Sequence, residues 1–343
     1  MGARRVKAKS EKRKVKNVKL FLLFAIALSL FVSGCSETYP KEKVGESIVK
    51  ICKDEYKIDV KTEVVGKTIA IYLPLENLMD FSFSINEQAS EKINDVILSV
   101  ARVTLSTDEN FNYYCVIAHD IRIPEIQIII IKSVDDVKRL LLNDISRGEY
   151  SKRILIDLRL NPQSQKERSV KEVFQKMGLD DKWQEQVMSD FFRSEPMGLG
   201  DIGYWNNKFY IKDITKPEFM AEQMVSRVKI EFKEDKDLSE NFALKAVKGQ
   251  YAAKADKKYF KIDVLAEMKW FKEAAGPEMS EKILRAIVNI AIHVVHVYEF
   301  NDFEYIQIND QGGARSLVVT KEALEKVRTK KMKMEDLLKE AQV

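Results

Sequence analysis

The sequence predicts an α+β protein made of two related α-β-β-α-β-β-α units, with antiparallel sheets and helices packed on one face. Two patterns predict this class. Short runs alternate apolar and polar residues, as half-buried strands do, and longer segments repeat apolar residues every three or four positions, as helices do. The order of helices and strands occurs twice, and short connections between strands favour antiparallel pairing. The 343 residues, 45% of them apolar, are enough for two cores.

A short internal repeat supports the duplication. The tetrapeptide Ser-Glu-Lys-Ile at 90–93 recurs at 280–283. Both windows predict a helix with one apolar face. Ser90 and Ser280 are the predicted N-caps, since a serine hydroxyl accepts from helix amides and the acid that follows suits the helix dipole. A four-residue match can arise by chance, so the shared order of elements carries most of the argument.

The first unit is predicted over residues 44–150. In chain order its elements are a helix at 44–56, strands at 58–64 and 68–73 around a turn at Gly66, a helix after Ser90, strands at 113–118 and 126–131, and a helix at 134–142. The uniformly apolar run at 128–131 predicts a strand that is covered on both faces.

The second unit is predicted over residues 216–343. Its elements are a helix at 217–225, a strand at 228–232, an insertion, a strand at 259–265, a helix after Ser280, strands at 303–308 and 316–319, and a helix at 322–327 that can continue to Leu338.

An irregular middle segment, residues 151–215, separates the units. It is interpreted either as a linker subdomain or as an insertion in the second unit. Its predicted elements are a strand at 154–160, helices at 170–177 and 183–192, and a loop at 194–207 that is rich in glycine, proline and aromatic residues.

The N-terminal segment, residues 1–34, has the composition of an export signal. Nine lysines and arginines precede a charge-free run at 20–32, and small residues follow it. Thirteen residues rise only about 20 Å as a helix, which is short of the roughly 30 Å hydrocarbon core. We therefore expect a transient signal rather than a permanent span.

The run Val-Ser-Gly-Cys at 32–35 resembles the lipobox of bacterial lipoprotein precursors. The resemblance implies that Cys35 is alkylated by diacylglycerol, that the chain is cut before it, and that the new amino end is acylated. The mature protein would then be anchored to a membrane through a lipidated tether, residues 35–43. Ser36 in place of aspartate favours the inner leaflet of the outer membrane if the organism is Gram-negative. The expected location is therefore the cell envelope, outside the cytoplasm.

The charge of the chain must be divided at this cleavage site. The whole chain carries +4, but residues 1–34 alone carry +8, so the mature part carries −4. Nucleic-acid binding requires a one-sided basic field, which this balance does not supply. We therefore expect no nucleic-acid partner.

Two cysteines remain after Cys35 is assigned to lipid. Cys52 lies on a predicted helix and Cys115 in a predicted strand, and a helix packed on a sheet could align them for a disulfide. The alternative is two buried free thiols, which are common small packing residues.

A glycine-rich stretch at 198–203 matches G-x-G-x-x-G, but a helix is predicted before it and a strand after it. Dinucleotide sites need the reverse order, so we interpret the stretch as a flexible loop. Tyr204 and Trp205 beside it are a candidate contact loop. The alternative is that these aromatic side chains fold back onto the core.

The three histidines of the chain are candidates for a metal site or for acid-base catalysis. His293 and His296, with Glu299 one turn on, have spacing that could hold a metal, but the surrounding apolar residues favour a structural role, and no metal or cofactor is predicted. His119 and Asp120 could act in acid-base chemistry, although aspartate also suits a turn. No nucleophile motif accompanies them.

The function predicted from the sequence is a non-catalytic, lipid-anchored envelope protein that binds a protein or a cell-wall polymer. One alternative is a periplasmic hydrolase with its site between the units, motivated by His119 and Asp120. A second is a solute-binding lipoprotein, although such proteins usually contain parallel α/β units.

Overall fold

The computed structural model describes residues 39–80, 84–123, 126–160, 198–205, 207–269 and 277–339. The predicted signal segment, Cys35 and the helices predicted at 170–177 and 183–192 lie outside the described residues. Within the described part, the chain has the predicted α+β class, with helices packed on two antiparallel-rich sheets.

The described residues up to 160 form a helical turn at Lys41–Lys43, four α-helices and five strands. In chain order these are α1 (Val44–Tyr56), β1 (Lys61–Val65), β2 (Thr68–Leu75), α2 (Glu87–Leu105), β3 (Tyr113–Asp120), β4 (Ile126–Ser133), α3 (Val134–Leu141), α4 (Arg147–Lys152) and β5 (Leu155–Leu160). The five strands form the first sheet in the order β1-β2-β3-β4-β5. β5 therefore belongs to this sheet, although its sequence falls in the predicted middle segment.

The described residues from 198 onward begin with a helical turn at Leu199–Asp201 and a two-stranded hairpin. The strands of the hairpin are the first two elements given below, and the last four strands form the second sheet. In chain order they are β6 (Gly203–Trp205), β7 (Lys208–Tyr210), α5 (Lys216–Glu234), α6 (Lys236–Asn241), β8 (Phe242–Lys254), β9 (Lys257–Met268), α7 (Pro277–Val297), β10 (Tyr305–Asp310), β11 (Arg315–Thr320), α8 (Lys321–Arg328) and α9 (Met334–Leu338).

The two units share one topology. Their sheets run β1-β2-β3-β4 and β8-β9-β10-β11, and in each the outer pairs are antiparallel and the central pair is parallel. The parallel pairs were not predicted. They arise because α2 and α7 each connect the two central strands, and a helical crossover returns the chain in the same direction. A common origin of the units stays a prediction.

The elements stack in alternating layers. α1 and α2 cover one face of the first sheet, where Ile69, Ile71 and Val116 are fully buried. The opposite face of that sheet shares one core with α5, α7 and the inner face of the second sheet. The run at 128–131 is accordingly buried on both sides, as predicted.

A buried ionic cluster joins the units in this shared layer. The Arg153 guanidinium, 2% exposed, binds Asp136 of α3 at 2.6 Å and Glu149 of α4 at 2.9 Å. Arg227 of α5 reaches the same Glu149 at 3.1 Å. Burial raises the pKa of the Asp136 carboxyl despite Arg153. Burial also acts to raise the pKa of Glu149, but its two arginine partners outweigh burial and lower it.

Three predicted features of the secondary structure are wrong. The apolar run at 228–232 belongs to α5, because Val228 and Phe232 continue the buried face of that helix. β8 forms where an insertion was predicted. Ser90 lies inside α2, whose N-cap is Asn86, and 280 lies inside α7.

No helix among the described residues is long and apolar enough to cross a membrane.

Candidate functional site

The outer face of the second sheet is the candidate functional site, and strand alternation creates it. In β9 the side chains of Phe260, Ile262 and Val264 point into the core and are at most 1% exposed. The residues between them face outward and are partly exposed. β10 and β11 alternate in the same way. We call this outward surface the open face; its central members are Tyr259, Lys261, Asp263, Tyr305, Gln307, Asn309, Ser316 and Val318.

Two tyrosines stand side by side on the open face. Tyr259 and Tyr305 are register partners on the parallel pair β9 and β10. Their ring centroids lie 4.8 Å apart with an interplanar angle of 11°, so the rings are stacked. Mutual stacking holds both rings in place, which leaves a preordered aromatic ridge on the sheet.

A hydrogen-bond network adjoins the tyrosines. The Lys261 ammonium lies 2.7 Å from the Asp263 carboxylate, and the Asn309 amide donates to the same carboxylate at 2.5 Å. The Ser316 hydroxyl and the Gln307 amide donate to the Asn309 carbonyl oxygen at 2.8 and 3.2 Å. Because Lys261 and Asp263 neutralise each other, the network presents amide and hydroxyl groups without net charge.

The corresponding face of the first sheet is different in kind. This is the face of the first sheet that lies opposite α1 and α2. It holds apolar residues such as Cys115 and Ile117, which are 0% exposed and pack in the core shared with α5. On the open face the Val318 side chain is 51% exposed. The shared topology therefore carries a covered apolar face in one unit and an accessible polar and aromatic face in the other.

The predicted contact loop is wrong for Tyr204. Its ring is 4% exposed and stacks on Tyr72 at 3.7 Å. The Gln127 side chain donates to the Tyr204 carbonyl oxygen at 2.6 Å and accepts from its amide at 3.3 Å. The alternative interpretation, in which the aromatic side chain folds back onto the core, is confirmed for Tyr204. Trp205 is partly exposed at the end of β6.

The glycine-rich stretch at 198–203 is tied to β5. The Arg159 guanidinium donates to the carbonyl oxygens of Leu199, Gly200 and Ile202, each at 2.8 Å. The Asp201 carboxylate accepts from the Gly198 amide at 3.1 Å. These bonds fix the loop that the sequence predicted to be flexible.

His119 and Asp120 contact different groups. The Tyr72 hydroxyl lies 2.9 Å from His119 Nδ1. The buried Asp120 carboxylate accepts from the amides of Leu78, Arg122 and Ile123, at 2.8 to 3.1 Å, so it organises the turn after β3. Both residues lie at the end of β3 that is opposite Tyr113, which packs on Phe219 of the second unit.

The two histidines of α7 face different partners. His293 Nε2 lies 3.6 Å from Glu149, and burial lowers its pKa, with Arg227 acting in the same direction. His296 lines a groove of about 410 Å³ beside α8, together with Glu299. Among the described residues, no three histidine, cysteine or acidic side chains are grouped as metal ligands.

Cys52 and Cys115 are buried free thiols, which is the second of the two alternatives that the sequence left open. Cys52 packs in the core under α1 and α2, whereas Cys115 points to the opposite face of the first sheet. The sheet itself separates the two sulfur atoms. Burial raises the pKa of the Cys115 thiol to about 12.

The tyrosine pair was not predicted from the sequence. Its signal was the alternation through β9, which places Tyr259 on the same side as Asp263. The missing information was that β9 and β10 pair in parallel, because only this register brings Tyr305 beside Tyr259.

Comparison with known proteins returned no relatives. No protein-family model matches the chain, no curated protein matches it, and no solved structure matches the fold.

Proposed function

We propose that the protein is a non-catalytic lipoprotein of the bacterial cell envelope that binds a partner through the open face. The partner is a protein or a cell-wall polymer, and lipid on Cys35 holds the protein to the membrane. The observation that carries the proposal is the stacked pair Tyr259 and Tyr305 beside the hydrogen-bond network of the open face.

The chemistry of the open face suits an extended neutral partner. Preordered tyrosine rings offer large contact areas, and few rotatable bonds are frozen when a partner binds. Gln307, Asn309 and Ser316 offer amide and hydroxyl groups that can exchange hydrogen bonds with hydroxyl or peptide groups. The pairing of Lys261 with Asp263 lowers the charge of this part of the face.

The lipid anchor would keep the first unit near the membrane. One acyl chain binds a bilayer only reversibly, at roughly 0.8 kcal/mol per buried methylene, so two or three chains on Cys35 are needed for stable attachment. From Cys35 to the helical turn that begins at Lys41 the chain has six residue steps, at most about 20 Å. This length places α1 close to the bilayer, and the open face lies at the opposite side of the stacked layers from α1.

The test compares two variants of the mature protein. The double variant Tyr259→Ala, Tyr305→Ala removes the aromatic ridge, and Leu98→Ala removes an exposed apolar side chain from α2 as the matched control. Binding is measured to isolated cell-wall sacculi in one arm and to detergent-solubilised envelope proteins in the other. We expect at least about tenfold weaker binding in one arm for the double variant alone.

Each arm has a defined meaning. Loss of binding to sacculi identifies a polymer partner, and loss of binding to envelope proteins identifies a protein partner. Equal binding by wild type, the double variant and Leu98→Ala in both arms would contradict the proposed role of the open face.

A further inference from the structure

A second candidate site is a cleft of about 630 Å³ where the two units meet. The first unit contributes Asp135 and Lys138 of α3. The second contributes Lys216, at the start of α5, and Glu299, just after α7. The volume falls within the range of small-ligand sites. This cleft lies at the Tyr113 end of β3, away from His119, which is six residues or about 20 Å along the strand.

The floor of the cleft is held rigidly. Tyr298 donates its hydroxyl hydrogen to the Asp136 carboxylate at 3.0 Å, and Asp136 is in turn bound by Arg153. The Tyr113 ring packs on Phe219 with centroids 4.9 Å apart. Both tyrosines are at most 8% exposed. The floor is therefore positioned by buried contacts that exist before any ligand arrives.

The walls carry charges of both signs without partners. Lys138, Lys216, Asp135 and Glu299 make no side-chain hydrogen bond or ion pair within the described part of the chain. In the same cleft Arg139 is already paired with Asp144 at 2.6 Å. Two ammonium groups and two carboxylates are thus left free for a ligand, one of each from each unit.

We propose that this cleft binds a short peptide through its free amino and carboxylate ends. A ligand of a single charge would meet a like charge on both walls, whereas a zwitterion can place its carboxylate near the lysines and its ammonium group near the carboxylates. The side-chain amides of Asn110 and Asn112 also line the cleft and can pair with a peptide group. This site is separate from the open face and does not depend on it.

The test uses the mature chain and alanyl-alanine as the probe, with binding measured by calorimetry. The free dipeptide is compared with its N-acetyl and its C-amide derivative, each of which removes one terminal charge. We expect saturable binding of the free dipeptide and at least about tenfold weaker binding of each derivative. Lys138→Ala and Glu299→Gln should weaken binding of the free dipeptide to a similar extent.

Matched controls are Lys233→Ala and Glu234→Gln, which remove exposed charges at the far end of α5. They should leave the affinity unchanged. No saturation by the free dipeptide up to about 1 mM would overturn the proposal. Equal affinity for the free and blocked dipeptides, or for Lys138→Ala and Lys233→Ala, would also overturn it. The Tyr259→Ala, Tyr305→Ala variant should bind the dipeptide normally, which separates this result from the test of the open face.

Discussion

Lys132 is a buried lysine without a carboxylate partner in the described part of the chain. It lies on β4 and is 8% exposed, and no carboxylate there pairs with it. Its ammonium group lies 5.3 Å from the centre of the Tyr150 ring. Burial lowers the pKa of Lys132 to about 8. A buried ammonium without a carboxylate partner costs free energy of folding at neutral pH.

This burial predicts a rise in stability at alkaline pH. Between about pH 8 and pH 10.5 the unfolded chain keeps a proton on Lys132 that the folded chain has released, so the free energy of unfolding increases with pH in that window. Lys132→Met should remove this contribution and raise the free energy of unfolding at pH 7 by about 1–3 kcal/mol.

The measurement is urea unfolding of wild type and Lys132→Met at pH 7 and pH 10. Lys138→Met, at an exposed position on α3, is the control and should change stability little. A Lys132→Met variant that is less stable than wild type at pH 7 would show that the ammonium group has a net favourable environment.

Single residues were predictable from the sequence where a local pattern decides their role. Asp120 was recognised as a residue suited to a turn, and its carboxylate does bind the amides of the turn. Tyr204 was not predictable, because its partners Tyr72 and Gln127 are distant in sequence. For the same reason the sequence could not decide whether Cys52 and Cys115 form a disulfide, because the face to which each thiol points depends on the assembled sheet.

At the scale of elements, periodicity predicted most helices and strands. α1 begins and ends at the predicted residues, and β3, β4 and α3 differ from prediction by two residues or fewer. β8 was missed because its sequence is rich in alanine and lysine, which have low strand propensity. Its twelve register pairs with β9 impose the strand, and these pairs cannot be seen in the local sequence.

The contact between α5 and β8 depends on Gly249. A methyl group at this position would lie 2.7 Å from the Ala221 carbonyl oxygen and 2.8 Å from a Val225 methyl carbon. Helix and strand therefore approach more closely than any larger residue allows. Gly249→Ala should lower the free energy of unfolding by about 1–3 kcal/mol.

The control for this prediction is Gly148→Ala on α4, where the nearest neighbouring atom is 3.9 Å from the added methyl group. Alanine favours helix over glycine, so this variant should be unchanged or more stable by up to about 1 kcal/mol. Chemical denaturation of both variants measures the difference. Equal stability of Gly249→Ala and wild type would show that α5 and β8 can separate without cost.

At the scale of the whole molecule, two sheets of one topology have different surroundings. The central strands of the first are covered on both sides, and the second leaves its outer face accessible. The sequence predicted the two units but not this difference, because it depends on how the units stack. The residue types agree with this difference: Ile129 and Ile131 on the covered face are apolar, and the outward residues Gln307 and Asn309 of β10 are polar.

The central claim is that the protein works at a membrane surface, attached through Cys35. The most direct measurement is the intact mass and detergent partitioning of the expressed chain, wild type beside Cys35→Ser. We expect that wild type is cut before Cys35, carries acyl mass and enters the detergent phase, and that Cys35→Ser does none of these. A wild-type chain that stays uncleaved and enters the aqueous phase, as Cys35→Ser does, would contradict the lipid anchor and the envelope location that follows from it.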